Sequence, residues 1–66
     1  MQYIYYNKSN KPDLESLESD ISNSNMTNKT VTWSRWDENP GEITIEFTVA
    51  LDSSDKAILD NILTGY

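Results

Sequence analysis

A chain of 66 residues with 11 Asp and Glu against 5 Lys and Arg, net charge −6, has room for one small domain spanning residues 1–66. It has the wrong sign for binding nucleic acid or an anionic membrane through clustered cations. The absence of Cys and His removes disulfides, thiolate nucleophiles, the usual zinc ligands and the commonest general base.

Hydrophobic residues at 36% and charged residues at 24% are too apolar a mixture for a disordered tail and too polar for a membrane span. Arg35 is the only arginine, which argues further against bidentate phosphate recognition. After Met1 comes a run of aromatic residues, not a basic stretch leading into an apolar segment, so cytoplasmic synthesis is expected. The N-x-S/T triplets at Asn7, Asn25 and Asn28 are read as by-products of Asn-rich loops.

In chain order, Gln2 to Tyr6 (QYIYY) is rich in aromatic and β-branched residues and predicts a short strand. A polar break comes next, and Pro12 suits a first helical position. Leu14, Leu17 and Ile21 recur at helical spacing, which predicts a first helix over Pro12 to Ile21. The turn-forming cluster Ser22 to Asn28 ends it, with Met26 its one apolar member.

Lys29 to Trp36 alternates strictly and predicts a second strand, with Val31 and Trp33 facing in and Thr30, Thr32 and Trp36 facing out. Asp37 to Gly41 (DENPG) is a turn, which joins this strand to the next as a hairpin. Glu42 to Leu51 (EITIEFTVAL) carries the clearest period of two in the chain. Ile43, Ile45, Phe47, Val49 and Leu51 share one face, as expected of a central strand.

Asp52 or Ser53 can cap a second helix, and Asp55 sits where a carboxylate can answer a backbone N–H. Ile58, Leu59, Ile62 and Leu63 form the apolar stripe, and Gly65 suits a left-handed stop. This helix is therefore expected over Ser53 to Thr64, with Lys56 placed to pair with Asp52 or Asp60.

The order β-α-β-β-α predicts an α+β fold: a three-stranded antiparallel sheet of order 1-3-2 with two helices on one face. That architecture resembles a ferredoxin-like fold without its last strand, and the likeness carries no function. The sheet's uncovered face is then the informative surface. Tyr3, Tyr5, Tyr6, Trp36, Thr32, Thr44 and Thr48 are the candidate partner-binding residues, since exposed aromatic side chains gather at contact hot spots. The outer strands also offer unpaired backbone to a partner strand.

The polar clusters give no chemistry. Asp37–Glu38–Asn39 and Asp52/Asp55 lack calcium-loop spacing and read as a turn and a helix cap. Ser53 and Ser54 have no base to activate them. No catalytic residue, metal ligand or cofactor is expected.

Taken together, the short strand, the helix opened by Lys11-Pro12-Asp13, the Trp-bearing hairpin and the closing LDSSDKAILDNI helix (Leu51 to Ile62) resemble small proteins encoded by tailed bacteriophages. The resemblance implies a non-enzymatic virion accessory role: head decoration, head–tail adaptor or tail accessory subunit. The implied partners are other virion proteins or copies of the chain itself, in a multi-copy assembly. The alternative is a host-directed phage inhibitor, an acidic mimic of nucleic acid. Mimicry asks for carboxylates along one face, whereas Glu15, Glu18, Glu42 and Glu46 lie on different elements.

Overall fold

A computed structural model describes residues 1–66. Its elements are β1 (Gln2–Tyr5), α1 (Leu14–Ser22), β2 (Val31–Asp37), β3 (Glu42–Phe47) and α2 (Ser53–Leu63). The sheet order is β1-β3-β2 with both pairings antiparallel, so β3 is central and the expected α+β architecture is present. One core joins the layers. Leu17 and Ile21 of α1 and Leu59 and Leu63 of α2 meet Ile43, Ile45 and Phe47 of β3, and Met26 closes the cluster from the loop between α1 and β2.

The helix starts are set by capping. Asp13, not Pro12, opens α1, its carboxylate accepting from the Glu15 and Ser16 N–H groups, so Pro12 stands just outside the helix. Asp52 caps α2 by accepting from the Asp55 N–H at 2.8 Å. At the far end Gly65 does not take the left-handed conformation expected of it; Thr64 is helical, and the Gly65 N–H bonds to the Ile62 carbonyl in a tightened last turn. The left-handed glycine is Gly41, at φ 94° in the β2–β3 turn. A Cβ there would stand 2.3 Å from the Lys8 carbonyl oxygen, while the Lys8 N–H bonds to the Gly41 carbonyl, so only glycine lets these two segments close up.

Two strand features depart from the simple pattern. First, β3 ends at Phe47, not Leu51. Phe47 pairs with Met1 on one side and Val31 on the other, and one bond follows, from the Thr48 N–H to the Thr30 carbonyl at 3.2 Å. Beyond that bond the chain bends, Val49 is 47% exposed, and Leu51 turns under the sheet with its N–H on the Tyr3 hydroxyl at 2.7 Å. Second, β2 carries a bulge. Val31 lies opposite Phe47 and Trp33 opposite Glu46, so Thr32 is an extra residue and the face of every later side chain is reversed.

Asp55 is 2% exposed and reaches across the molecule. Its carboxylate accepts the backbone N–H groups of Thr27 (2.8 Å) and Asn28 (3.0 Å) and the Asn28 side-chain amide (3.3 Å). The backbone N–H it answers thus belongs to the α1–β2 loop, not to its own helix. These donors, Thr27 first and Asn28 next, hold its carboxyl below the usual carboxylate range. A depressed folded value means the contribution is complete above the unfolded pKa of about 3.9 and is lost as pH falls through the lower, folded value. Asp55→Asn is therefore expected to lower the urea midpoint at neutral pH, with the gap to wild type narrowing on acidification below about pH 4. A gap independent of pH would show that the charge is not what holds the loop.

Candidate protein-binding surface

The helices cover one face of the sheet, and the register states which side chains lie there. Tyr3 and Tyr5 stand opposite Ile45 and Ile43, and Ser34 and Trp36 stand opposite the same two residues from the other side. Tyr3, Tyr5 and Trp36 therefore pack against the core, and their expected place on the open face is corrected. For the tyrosines the reason is amphipathic burial, in which the ring goes under the sheet and the hydroxyl finds a partner at the rim. The Tyr3 ring meets Phe47 edge-on at 5.7 Å. The Tyr5 hydroxyl donates to Asp60 at 2.8 Å, and burial, with this bond to a carboxylate second, raises its pKa. For Trp36 the reason is the bulge at Thr32.

The open face is correspondingly different. Gln2, Glu46 and Trp33 form one cross-strand row; Ile4, Thr44 and Arg35 form the next; Glu42 and Asp37 lie beyond. Ile4 and Trp33 are on this side, which corrects the inward place expected of Trp33. Trp33 is half-buried, with the Arg35 guanidinium 5.6 Å from its ring centroid. Of the remaining candidates, Thr44 does face the open side, but it lies between Ile4 and Arg35 and is only 1% exposed, too enclosed to meet a partner directly. Thr32 is exposed at the bulge, Thr48 is exposed just past the end of β3, and Tyr6 is 60% exposed just past β1.

Three of the four exposed large apolar side chains, all but Val49, lie along β1. Met1, Ile4 and Tyr6, at 61%, 40% and 60%, line β1 and its two ends. β1 is also a sheet edge. The Met1 ammonium and carbonyl exchange hydrogen bonds with Phe47, so Tyr3 and Tyr5 continue the ladder inward. By alternation the N–H and C=O groups of Gln2 and Ile4, and the N–H of Tyr6, point away from β3, where the sheet has no further strand.

Two carboxylates around this edge are matched within the chain. The Met1 ammonium lies 2.6 Å from Glu46 Oε2, and Lys56 pairs with Asp60 while sitting 5.3 Å from the Tyr5 ring centroid. Lys56 and Tyr5 both donate to Asp60, and these bonds, Lys56 first, lower its pKa. Lys8 donates to the Leu63 carbonyl at 2.8 Å. Of the two partners expected for Lys56, the structure selects Asp60.

The surface has no pocket, no three His, Cys, Asp or Glu side chains converge, and no helix is long and apolar enough to cross a membrane. No protein-family model, curated protein or solved structure matches the chain.

The opposed places of the two tryptophans give a direct check. Trp36→Ala removes a ring packed on the core and is expected to cost about 2–3 kcal/mol in urea unfolding. Trp33→Ala, on the open face, is expected to cost under about 1 kcal/mol. Equal losses would contradict the bulge.

Proposed function

We propose that the protein is a non-enzymatic accessory structural subunit of a tailed-phage particle, made in the host cytoplasm and retained in the virion by protein–protein binding. The observation that carries this reading is the β1 edge. It is a strand with backbone groups directed outward, flanked by exposed Met1, Ile4 and Tyr6 and free of charged side chains over Gln2–Tyr5. Such an edge is suited to adding a strand from another chain, a virion protein or a further copy, with main-chain bonds giving affinity and alternate side chains giving specificity. The resemblance of the sequence to small phage-encoded proteins supports the virion setting, and the open face with Trp33 and Arg35 adds contact area beside the edge.

Quantitative mass spectrometry of purified particles of the encoding phage is expected to recover the protein at a fixed ratio to the major structural proteins. Its absence from particles, with expression confirmed in infected cells, would overturn the virion role.

A further inference from the structure

The two edges of the sheet are not alike. β2 contains Arg35 and Asp37, is interrupted by the Thr32 bulge, and lies beside α1, where the Ser34 hydroxyl donates to Glu18. Inserted charges and bulges are the usual means by which an edge strand is kept from pairing with another chain. β1 has neither. Its residues are Gln, Tyr, Ile and Tyr in regular register from Gln2↔Glu46 to Tyr5↔Ile43.

We infer that the occupant of the β1 edge is a second copy of this chain, paired antiparallel about a two-fold axis through Ile4. This deepens the reading of β1 as a protein-binding edge and rests on it. An isologous contact requires a surface complementary to itself, and β1 has that property on both faces. With Ile4 on the axis, the outward backbone groups fall into register. Ile4 exchanges both hydrogen bonds with the partner's Ile4, and the Tyr6 N–H donates to the partner's Gln2 carbonyl. On the open face this sets the two isoleucines side by side, covering side chains that are 40% exposed in the single chain. On the helix-covered face, Tyr3 comes opposite the partner's Tyr5, an aromatic cross-strand pair that repeats across the axis. Slipping the register by one residue would bring inward-facing backbone groups against outward-facing ones and lose the bonds.

Charge near the edge leaves room for a second copy without selecting it. At −6, two copies repel over most approaches, and a basic partner would be preferred at any acidic patch. At β1 the neighbouring carboxylates Glu46 and Asp60 are already paired with the Met1 ammonium and Lys56, while Glu42, further along β3 on the open face, has no ion-pair partner. Apart from Glu42, the edge therefore gives a basic strand no special attraction and places little local repulsion in the way of an identical one. One strand edge is a small contact, so the dimer belongs to the weak class, with Kd in the micromolar range rather than nanomolar.

Sedimentation equilibrium of the full chain over micromolar to millimolar concentration tests this, read together with amide hydrogen exchange. Wild type is expected to show a monomer–dimer equilibrium, with the Ile4 amide gaining protection as concentration rises while the already bonded Tyr5 amide changes little. Ile4→Lys places a charge on the axis opposite its own copy and is expected to weaken dimerisation at least tenfold, roughly the effect of one unfavourable cross-strand pair with its lost contact. Arg35→Ala, on the other edge, is expected to leave dimerisation unchanged. Ile4→Pro removes the outward N–H without touching the β1–β3 ladder and serves as a second variant if the lysine disturbs folding. A wild-type chain that stays monomeric to millimolar concentration, or a folded Ile4 variant that dimerises as wild type does, overturns the inference. The virion reading fails separately: a dimer in solution that is absent from particles removes that reading and leaves the dimer, whereas a monomer present in particles does the reverse.

Discussion

The Asp55 carboxylate is the interaction on which the arrangement of this small molecule most depends. The chain has no disulfide, and the loop from α1 to β2 must cross from the helical layer to the edge of the sheet. A loop of short polar residues has little apolar area with which to hold itself down. One buried acceptor satisfies two consecutive backbone N–H groups of that loop, while its own N–H completes the cap of α2. The start of α2, the end of the loop and the burial of Met26 are thereby tied together. Burying a carboxylate is costly unless its oxygens are fully hydrogen-bonded, and here the donors are supplied by the backbone that needs an acceptor.

The topology is legible in the sequence because it rests on signals that neighbours cannot easily override. The EITIEF alternation identifies β3 by a period that only a half-covered strand explains, and the Leu59/Leu63 stripe identifies α2 in the same way. The strand order comes from connection lengths and handedness. Parity is what the sequence conceals. In β1, hydropathy favours turning the one isoleucine inward between two tyrosines, but two large rings with hydroxyl partners at the rim bury more area than one aliphatic side chain. In β2, Thr-Val-Thr-Trp-Ser-Arg-Trp fits an unbroken strand as well as a bulged one. The choice is made by Trp36 against the core and Ser34 against Glu18, both contacts with residues distant in sequence.

The same limits shape the candidate site. Exposed aromatic residues mark contact surfaces, which is why Tyr3, Tyr5 and Trp36 stand out in the sequence, yet each is a core-facing residue with partners of its own. Ile4 and Trp33 take their places through the parity of their strands. The end of β3 is hidden for a related reason. Val49 and Leu51 continue the period of two, but a ladder stops where its neighbours stop, and that depends on where β1 and β2 begin. A cue present in the sequence is Asp55: a carboxylate after Asp52 at capping spacing, facing an Asn- and Thr-rich loop that must find acceptors.

The bulge at Thr32 has a practical corollary. By separating the two indole rings onto opposite sides of one strand, it equips the molecule with two natural fluorophores in unlike surroundings. Trp36, against the hydrocarbon interior, emits as a gauge of whether the fold is intact; Trp33, beside a guanidinium at the water boundary, emits as a gauge of what approaches the uncovered side. With either ring replaced by phenylalanine, the other can be followed alone, so unfolding and encounter are distinguishable by light without any label.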